Sequence, residues 1–395
     1  MARNKTLLTM GAALTAAVTI CTIGTANADL APTATDAVGI GSDTVQNIGN
    51  FLADGDNQGN TGYNSTSPKN RLVSFDATPD ANDRTGYLNG STSAALLPLN
   101  PTIVLRQGLQ PVLRPNGSGA GVSALLLDGA HNIDYVRMSR LPSVADQNTA
   151  TSTPGVGALR VIKISTDGLG LAVSAVTTLG GVSTGVPTNA PLGATALTAA
   201  QIVGIYKCSV GFTDWSSLGG TAGTIVPQIP QAGSGTRSTF VADLTALNGG
   251  VAFTLGSCVQ TVEENDSTTL NNNKNAIAPF SQGRKGLFDL GYFNTPKAYG
   301  TPQTQLTSGV QFTATGTYFD VRNLYVVFRD SDKTAAAKFQ PGGALNLVQE
   351  LFYNPTNVGG VAPYVKGAAG QADIAAAGAT PAYFDCGSGA TVTTC

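Results

Sequence analysis

The segment Ile225-Val-Pro-Gln-Ile-Pro-Gln-Ala-Gly-Ser-Gly-Thr-Arg237, followed by Ser-Thr-Phe240, constrains this chain most. It reads as a short strand, a glycine-rich turn and the start of a helix. Gly233 and Gly235 let the backbone turn tightly, and Ser234, Thr236 and Arg237 then stand where a helix presents its free N–H groups. Free amides at the positive end of a helix dipole suit a small oxyanion. A second segment of the same kind, Arg114-Pro-Asn-Gly-Ser-Gly-Ala-Gly-Val122, lies upstream. Two such turns facing each other point to binding before they point to catalysis.

The elements around these turns alternate. Val38 to Leu52 reads as strand, loop, helix, with Ser42 or Asp43 placed to cap the helix. Residues 54–70 read as a loop and 71–76 as a short strand. A helix continues from 122 to 127, and Ile133 to Ser139 alternates as a strand. Residues 143–156 read as a polar linker or loop. Strands follow at 158–165, 224–229 and 275–281, with the buried strand Leu324–Arg329 the clearest. Helices are expected over 197–206 (Thr198 near its start), 236–247 and 344–353, and an Asn/Thr-rich loop over 265–275. Strands alternating with helices indicate an α/β fold.

Length and composition narrow the class. A chain of 395 residues suits two domains, and 42% hydrophobic with 12% charged residues is globular rather than disordered. A net charge of −2 leaves no basic stripe for a phosphate backbone, so no nucleic-acid partner is expected. Arg3 and Lys5, the apolar run 7–23 and Ala26-Asn-Ala28 form a secretory signal over 1–28, with cleavage after Ala28. Cys21 follows Ile20 rather than the small residue a lipobox needs, so a secreted or cell-surface chain without a lipid anchor is expected.

Four cysteines remain after cleavage: Cys208, Cys258, Cys386 and Cys395. In an exported chain they read as two disulfides, and three pairings are open. The favoured one is Cys208–Cys258 with Cys386–Cys395, because each pair lies in one region. Their spacing is unlike that of zinc motifs, and neither a metal nor a cofactor is expected. His131 is the only histidine, and it precedes a strand near a turn, which suits a structural role. No Gly-x-Ser-x-Gly elbow with a downstream histidine exists, so the chain does not read as a hydrolase or another enzyme.

With these motifs in view, the chain resembles the exported phosphate-binding proteins of ABC transporters, which have the type 2 periplasmic-binding-protein fold. The resemblance rests on an ordered set: Gly39-Ile-Gly-Ser-Asp-Thr44, Asn116-Gly-Ser-Gly-Ala-Gly121, Ile133 to Arg140, Leu197 to Tyr206 with Asp214-Trp-Ser-Ser-Leu218, Gly233 to Thr236, and Asn275 to Ser281. It implies two lobes around a cleft: lobe 1 over 29–145 and 286–395, the latter with a disulfide-closed tail, and lobe 2 over 146–285. Crossings are expected near 140–160 and 280–290. It implies a monomer that captures a small oxyanion, phosphate first, and hands it to an ABC permease. The implied ligand set is Ser42, Asp43, Thr44, Ser118, Gly119, Ser139, Arg140, Ser234, Gly235, Thr236 and Arg237. Two departures stand out. Pro230 and Gln231 occupy the place near which the family carries an arginine, and Arg140 replaces the aspartate that takes the proton of hydrogen phosphate. Asp43 or Asp134 could supply that carboxylate instead. These departures also support a second reading, a secreted surface or scaffold protein that reuses the fold.

Overall fold

The computed structural model describes residues 31–56, 59–66, 69–78, 101–179, 182–192, 197–289, 309–313, 320–334, 338, 345–356 and 360–395. The signal segment 1–28 and Cys21 lie outside the described residues. No helix among the described residues is long and apolar enough to cross a membrane.

The first strands and helices are β1 (Ala37–Gly41), α1 (Gln46–Asp54), β2 (Leu72–Ser74), β3 (Thr102–Ile103), β4 (Val112–Leu113), α2 (Ser118–Leu127), β5 (Tyr135–Met138) and α3 (Val144–Ser152). There follow β6 (Leu159–Ser174), β7 (Thr177–Leu179), β8 (Val182–Thr184), α4 (Ala199–Tyr206), β9 (Val226–Pro230), α5 (Gly235–Leu247), β10 (Gln260–Val262), α6 (Thr268–Asn271), β11 (Ala276–Ser281) and α7 (Gln282–Asp289). The chain ends with β12 (Val310–Phe312), β13 (Asp320–Arg329), α8 (Leu347–Leu351), α9 (Ala368–Ala376) and β14 (Thr380–Ser388).

Ten of these strands form one mixed sheet, whose main path runs β10-β9-β11-β6-β13-β5-β1-β2. Its two ends are parallel: β2, β1 and β5 at one, β10, β9 and β11 at the other. The 16-residue β6 joins them. Its first part pairs antiparallel with β13 and β14, and its last part with β11 and β12.

The side-chain period of two explains how one sheet serves several cores. Along β13, Leu324, Val326 and Phe328 face a core with α1, α8 and α9, while Tyr325 and Val327 face a second core with α2 and α3. Along β6, Leu169, Leu171 and Val173 face a third core with α4 and α5, and Ala172 faces a fourth with Phe280. Trp215 is fully buried in the third core, with its indole N–H donating to the Asn275 carbonyl at 3.2 Å.

Several local expectations change. Residues 143–156 are not a linker: they hold α3, closed by a capping box between Ser143 and Asp146. Only Gln147 and Ala150 of that helix are buried, so its apolar periodicity is too thin to announce it. The Asn/Thr-rich stretch 265–275 carries the short helix α6. Neither Ser42 nor Asp43 caps α1; its first flanking residue is Val45, without a side-chain cap. By contrast, Thr198 caps α4 through a capping box with Gln201. Both favoured disulfides form, with Cα separations of 5.9 Å for Cys208–Cys258 and 5.5 Å for Cys386–Cys395.

Candidate functional site

Three loops meet where the two parallel strand groups approach each other: β1–α1, the turn into α2, and β9–α5. Each carries a glycine with positive φ: Gly41 at 116°, Gly117 at 102° and Gly233 at 89°. At Gly117 the requirement is doubled, because a Cβ there would lie 2.6 Å from the Gly233 carbonyl oxygen. The close approach permits a backbone bond between the loops, from the Gly119 N–H to the Gly233 carbonyl at 2.8 Å.

The predicted ligand residues sort into two groups. The first is a hydroxyl knot. Ser42 donates to Ser139 at 3.3 Å, Ser118 and Ser139 are also 3.3 Å apart, and the Ser139 N–H donates to Ser118 Oγ at 2.9 Å. All three serines are fully buried. The start of α5 presses on this knot: a Cβ on Gly235 would lie 2.2 Å from Ser139 Oγ and 2.4 Å from Ser118 Oγ.

The second group is built on Thr44 and Thr236, whose hydroxyls are 3.2 Å apart. Both donate to one carboxylate oxygen, Glu264 Oε1, Thr44 at 2.7 Å and Thr236 more closely. Arg322, from β13, donates to both hydroxyls, with Thr44 at 3.3 Å. Arg322 also pairs with Asp167 of β6 at 2.9 Å, and the two stand opposite in the β6–β13 register. Asp43 adjoins this group. It accepts from Thr78, pairs with Arg284 at 3.3 Å and accepts from Asn265 Nδ2 at 3.0 Å, and the same amide donates to Thr44 at 3.2 Å.

The remaining predicted residues lie elsewhere. Ser234 caps α5, accepting from the Arg237 N–H at 3.0 Å. Arg237 donates to the Pro230 carbonyl at 2.8 Å, and Arg140 to the Leu141 carbonyl at 2.8 Å with Asp146 at 3.4 Å. Neither guanidinium bonds to the hydroxyl clusters. Asp134 lies in a separate ion cluster with Arg106 and Lys338, under the Val38 N–H. Gln231 links the turn into α2 with the β10–α6 loop: its amide donates to Asn116 Oδ1 at 3.1 Å, and its oxygen accepts from the Glu264 N–H at 2.8 Å. Asn116 in turn donates to Glu263 at 2.9 Å. His131 stands apart, its ring nitrogens facing Asp332 at 2.9 Å and the Gly155 carbonyl at 2.8 Å.

The charged residues that sequence reasoning missed are therefore Arg322, Arg284, Asp167 and Glu264. No local signal marked Arg322, which lies between Asp320 and Asn323 in the polar first part of β13. The electrostatics are dominated by burial. Burial pushes the Glu264 carboxyl above the usual carboxylate range, the Asp43 charge adds to that, and Arg322 with the two threonine hydroxyls opposes it. Burial also raises Glu263, aided by Asp43 and Glu264 and opposed by the Asn116 bond. Two hydroxyls donate to one carboxylate oxygen, and a guanidinium donates to both hydroxyls from behind; hydroxyl donors backed by a cation are a donor set that suits an oxygen of phosphate or sulfate. Among the described residues, no group of three or more His, Cys, Asp or Glu side chains is arranged to hold a metal ion.

A mixed sheet whose two parallel ends meet at glycine turns and helix starts is the architecture of the two-lobed type 2 binding-protein fold. The chain belongs to the PBP superfamily domain family, whose profile matches residues 78–345. Among solved structures it is similar to a Clostridium perfringens protein with bound phosphate, at 16% identity and TM-score 0.49, covering 88% of this chain and 100% of that one. It is also similar to an ABC-type phosphate transport receptor from Vibrio cholerae, at 17% identity and TM-score 0.45, covering 87% and 99%. A third is PstS from Borrelia burgdorferi, at 13% identity and TM-score 0.39, covering 88% and 98%. No curated protein matches the sequence. At these identities the likenesses assign no ligand to this chain.

Proposed function

We propose that this chain is an exported solute-binding protein that captures a small oxyanion, phosphate first, between two lobes and delivers it to an ABC-type permease. The lobes would be 29–145 with 286–395, and 146–285. One observation carries the reading. Thr44 and Thr236, from two separate elements, donate to a single buried acceptor oxygen, and Arg322, from a third, stands directly behind them and donates to both hydroxyls. In a buried cleft each charge-assisted hydrogen bond contributes about 1.5–3 kcal/mol, and a few of them reach micromolar affinity after ordering costs. The free amides at the start of α5 would add donors, and hinge motion at the crossings near 140–160 and 280–290 would admit the ligand.

Calorimetry of the mature chain with inorganic phosphate and sulfate tests the proposal, with Thr236→Val as the control that removes one donor. Saturable binding that Thr236→Val weakens about tenfold or more supports it; absence of binding to either anion across pH 5–8 overturns it. A second reading, a scaffold that reuses the fold, is favoured by one feature: a side chain of the protein itself, Glu264, already holds the threonine donors. The same calorimetry decides between the two.

A further inference from the structure

Glu264 is an unusual group to find at this place. It is 1% exposed, its Oε1 takes both threonine hydroxyls, and its Oε2 is buried with no hydrogen-bond partner. A buried carboxylate oxygen left unpartnered costs free energy that a neutral or absent carboxylate would not. The charges facing it come from several elements: Asp43 on the β1–α1 loop, held by Arg284 of α7; Arg322 on β13, held by Asp167 of β6; and the adjacent Glu263, held by Asn116. Counting the formal charges named, Asp43, Asp167, Glu263 and Glu264 outnumber Arg284 and Arg322. An incoming dianion would meet a net negative site whose donors are already engaged.

We propose that Glu264 is a built-in occupant of the oxyanion cradle, closing the cleft on itself when no ligand is present, and that an oxyanion binds there only as Glu264 takes up a proton. The inference rests on the oxyanion reading for its second half; the first half stands on the contacts alone. Glu264 reaches Thr44 across the cleft, beside the Gly119–Gly233 backbone bond and the Gln231–Asn116 bridge. With Glu264 ionised, its carboxylate satisfies the threonine hydroxyls and ties the two strand groups together. With Glu264 protonated, the repulsion is removed, Thr44, Thr236 and Arg322 turn to the anion, and the carboxyl O–H becomes a donor to it. The proton comes from solvent and remains on Glu264.

The test uses the whole mature chain, with sulfate as the main probe because it carries no titrating proton between pH 5 and 8. Calorimetry in buffers of different ionisation enthalpy should show proton uptake on sulfate binding to the wild type. Its affinity should fall by up to about tenfold per pH unit once Glu264 is ionised. Glu264→Gln keeps the shape without the charge; it should bind sulfate at pH 8 about tenfold or more tightly than the wild type, with the pH dependence flattened. Equal affinity and an unchanged pH profile in Glu264→Gln would overturn the proton-linked displacement. A second readout needs no ligand: hydrogen exchange of the Gly119 amide should speed up in anion-free Glu264→Ala. A Gly119 amide equally protected in both proteins overturns the closing role. If no anion binds any variant while Gly119 exchange rises in Glu264→Ala, the oxyanion reading and its proton linkage fall and the closing contact stands.

Discussion

Replacing Arg322 with glutamine tests both the fold and the site, because this one guanidinium links β13, β6, α5 and the β1–α1 loop. It donates to Asp167 Oδ2 from Nε at 3.2 Å and from Nη2 at 2.9 Å, with side chains 3% and 2% exposed. Asp167 keeps its other donors, the Ser281 hydroxyl and the Gly283 N–H, both at 3.0 Å. Arg322→Gln therefore leaves an anion that is still hydrogen-bonded but has lost its cation, beside Glu264 and Asp43. Breaking one side of a buried pair costs about 3–5 kcal/mol. Arg322→Gln with Asp167→Asn removes both charges, and most of that loss should be recovered. Urea unfolding of the two single variants and the double variant yields the coupling energy, expected to be well above the ~0.5 kcal/mol of independent sites. Binding behaves differently. Both Arg322→Gln and the double variant should lose sulfate affinity at pH 5.5 by about tenfold to a hundredfold, since one charge-assisted contact is gone. A single variant as stable as the wild type would refute the stability argument. A double variant that binds sulfate like the wild type would refute the role of Arg322 in the cradle.

Three further outcomes follow from other parts of the molecule. Gly235→Ala places a methyl 2.2 Å from Ser139 Oγ and 2.4 Å from Ser118 Oγ, so the hydroxyl knot must shift; thermal denaturation should show a loss of about 1–3 kcal/mol, and an unchanged midpoint would contradict the packing. Burial lifts the Asp373 carboxyl to about 7, with the Asp56 charge adding to this and the Tyr364 hydroxyl bond opposing it. Its folded-state pKa thus lies above the unfolded value, so its contribution is complete below about pH 4 and is lost as pH rises through about 7. Asp373→Asn should flatten stability against pH across that window, and a slope equal to that of the wild type would sink the assignment. The disulfides close loops of different size, with sequence separations of 50 and 9. By loop entropy, replacing Cys208 and Cys258 with serine should cost about 4 kcal/mol, against roughly 2.5 for Cys386 and Cys395, and the reverse order in urea unfolding would refute the entropic account.

What could be read from the sequence was what depends on near neighbours. The strand–turn–helix segments at 225–237 and 114–122, the helix start near Thr198 and the strand at 324–329 are each decided within a few residues, and each forms. The capping box at Ser143 and Asp146 was equally local; it went unread because the helix behind it buries little apolar surface. The cradle was not legible in the same way. Thr44 meets Thr236 across 192 residues and Glu264 across 220, and Arg322 meets Thr44 across 278. No local pattern encodes which side chain will stand opposite a turn once the sheet is assembled.

The arginines show the physical reason. Arg140 and Arg237 were the natural candidates because each sits beside a predicted loop, yet a flexible guanidinium beside a loop finds the nearest acceptor, here the Leu141 and Pro230 carbonyls. Arg322 is different because the β6–β13 register sets it opposite Asp167, and the two are buried together. A buried cation needs a fixed counter-ion, and a fixed counter-ion holds the guanidinium fork at one place. Strand register, rather than proximity in the chain, thus decides which arginine stands beside Thr44 and Thr236. The same reasoning explains the carboxylate. The acidic group beside Thr44 and Thr236 comes from the β10–α6 loop, where Gln231 holds the Glu264 backbone and leaves its side chain pointing across to Thr44.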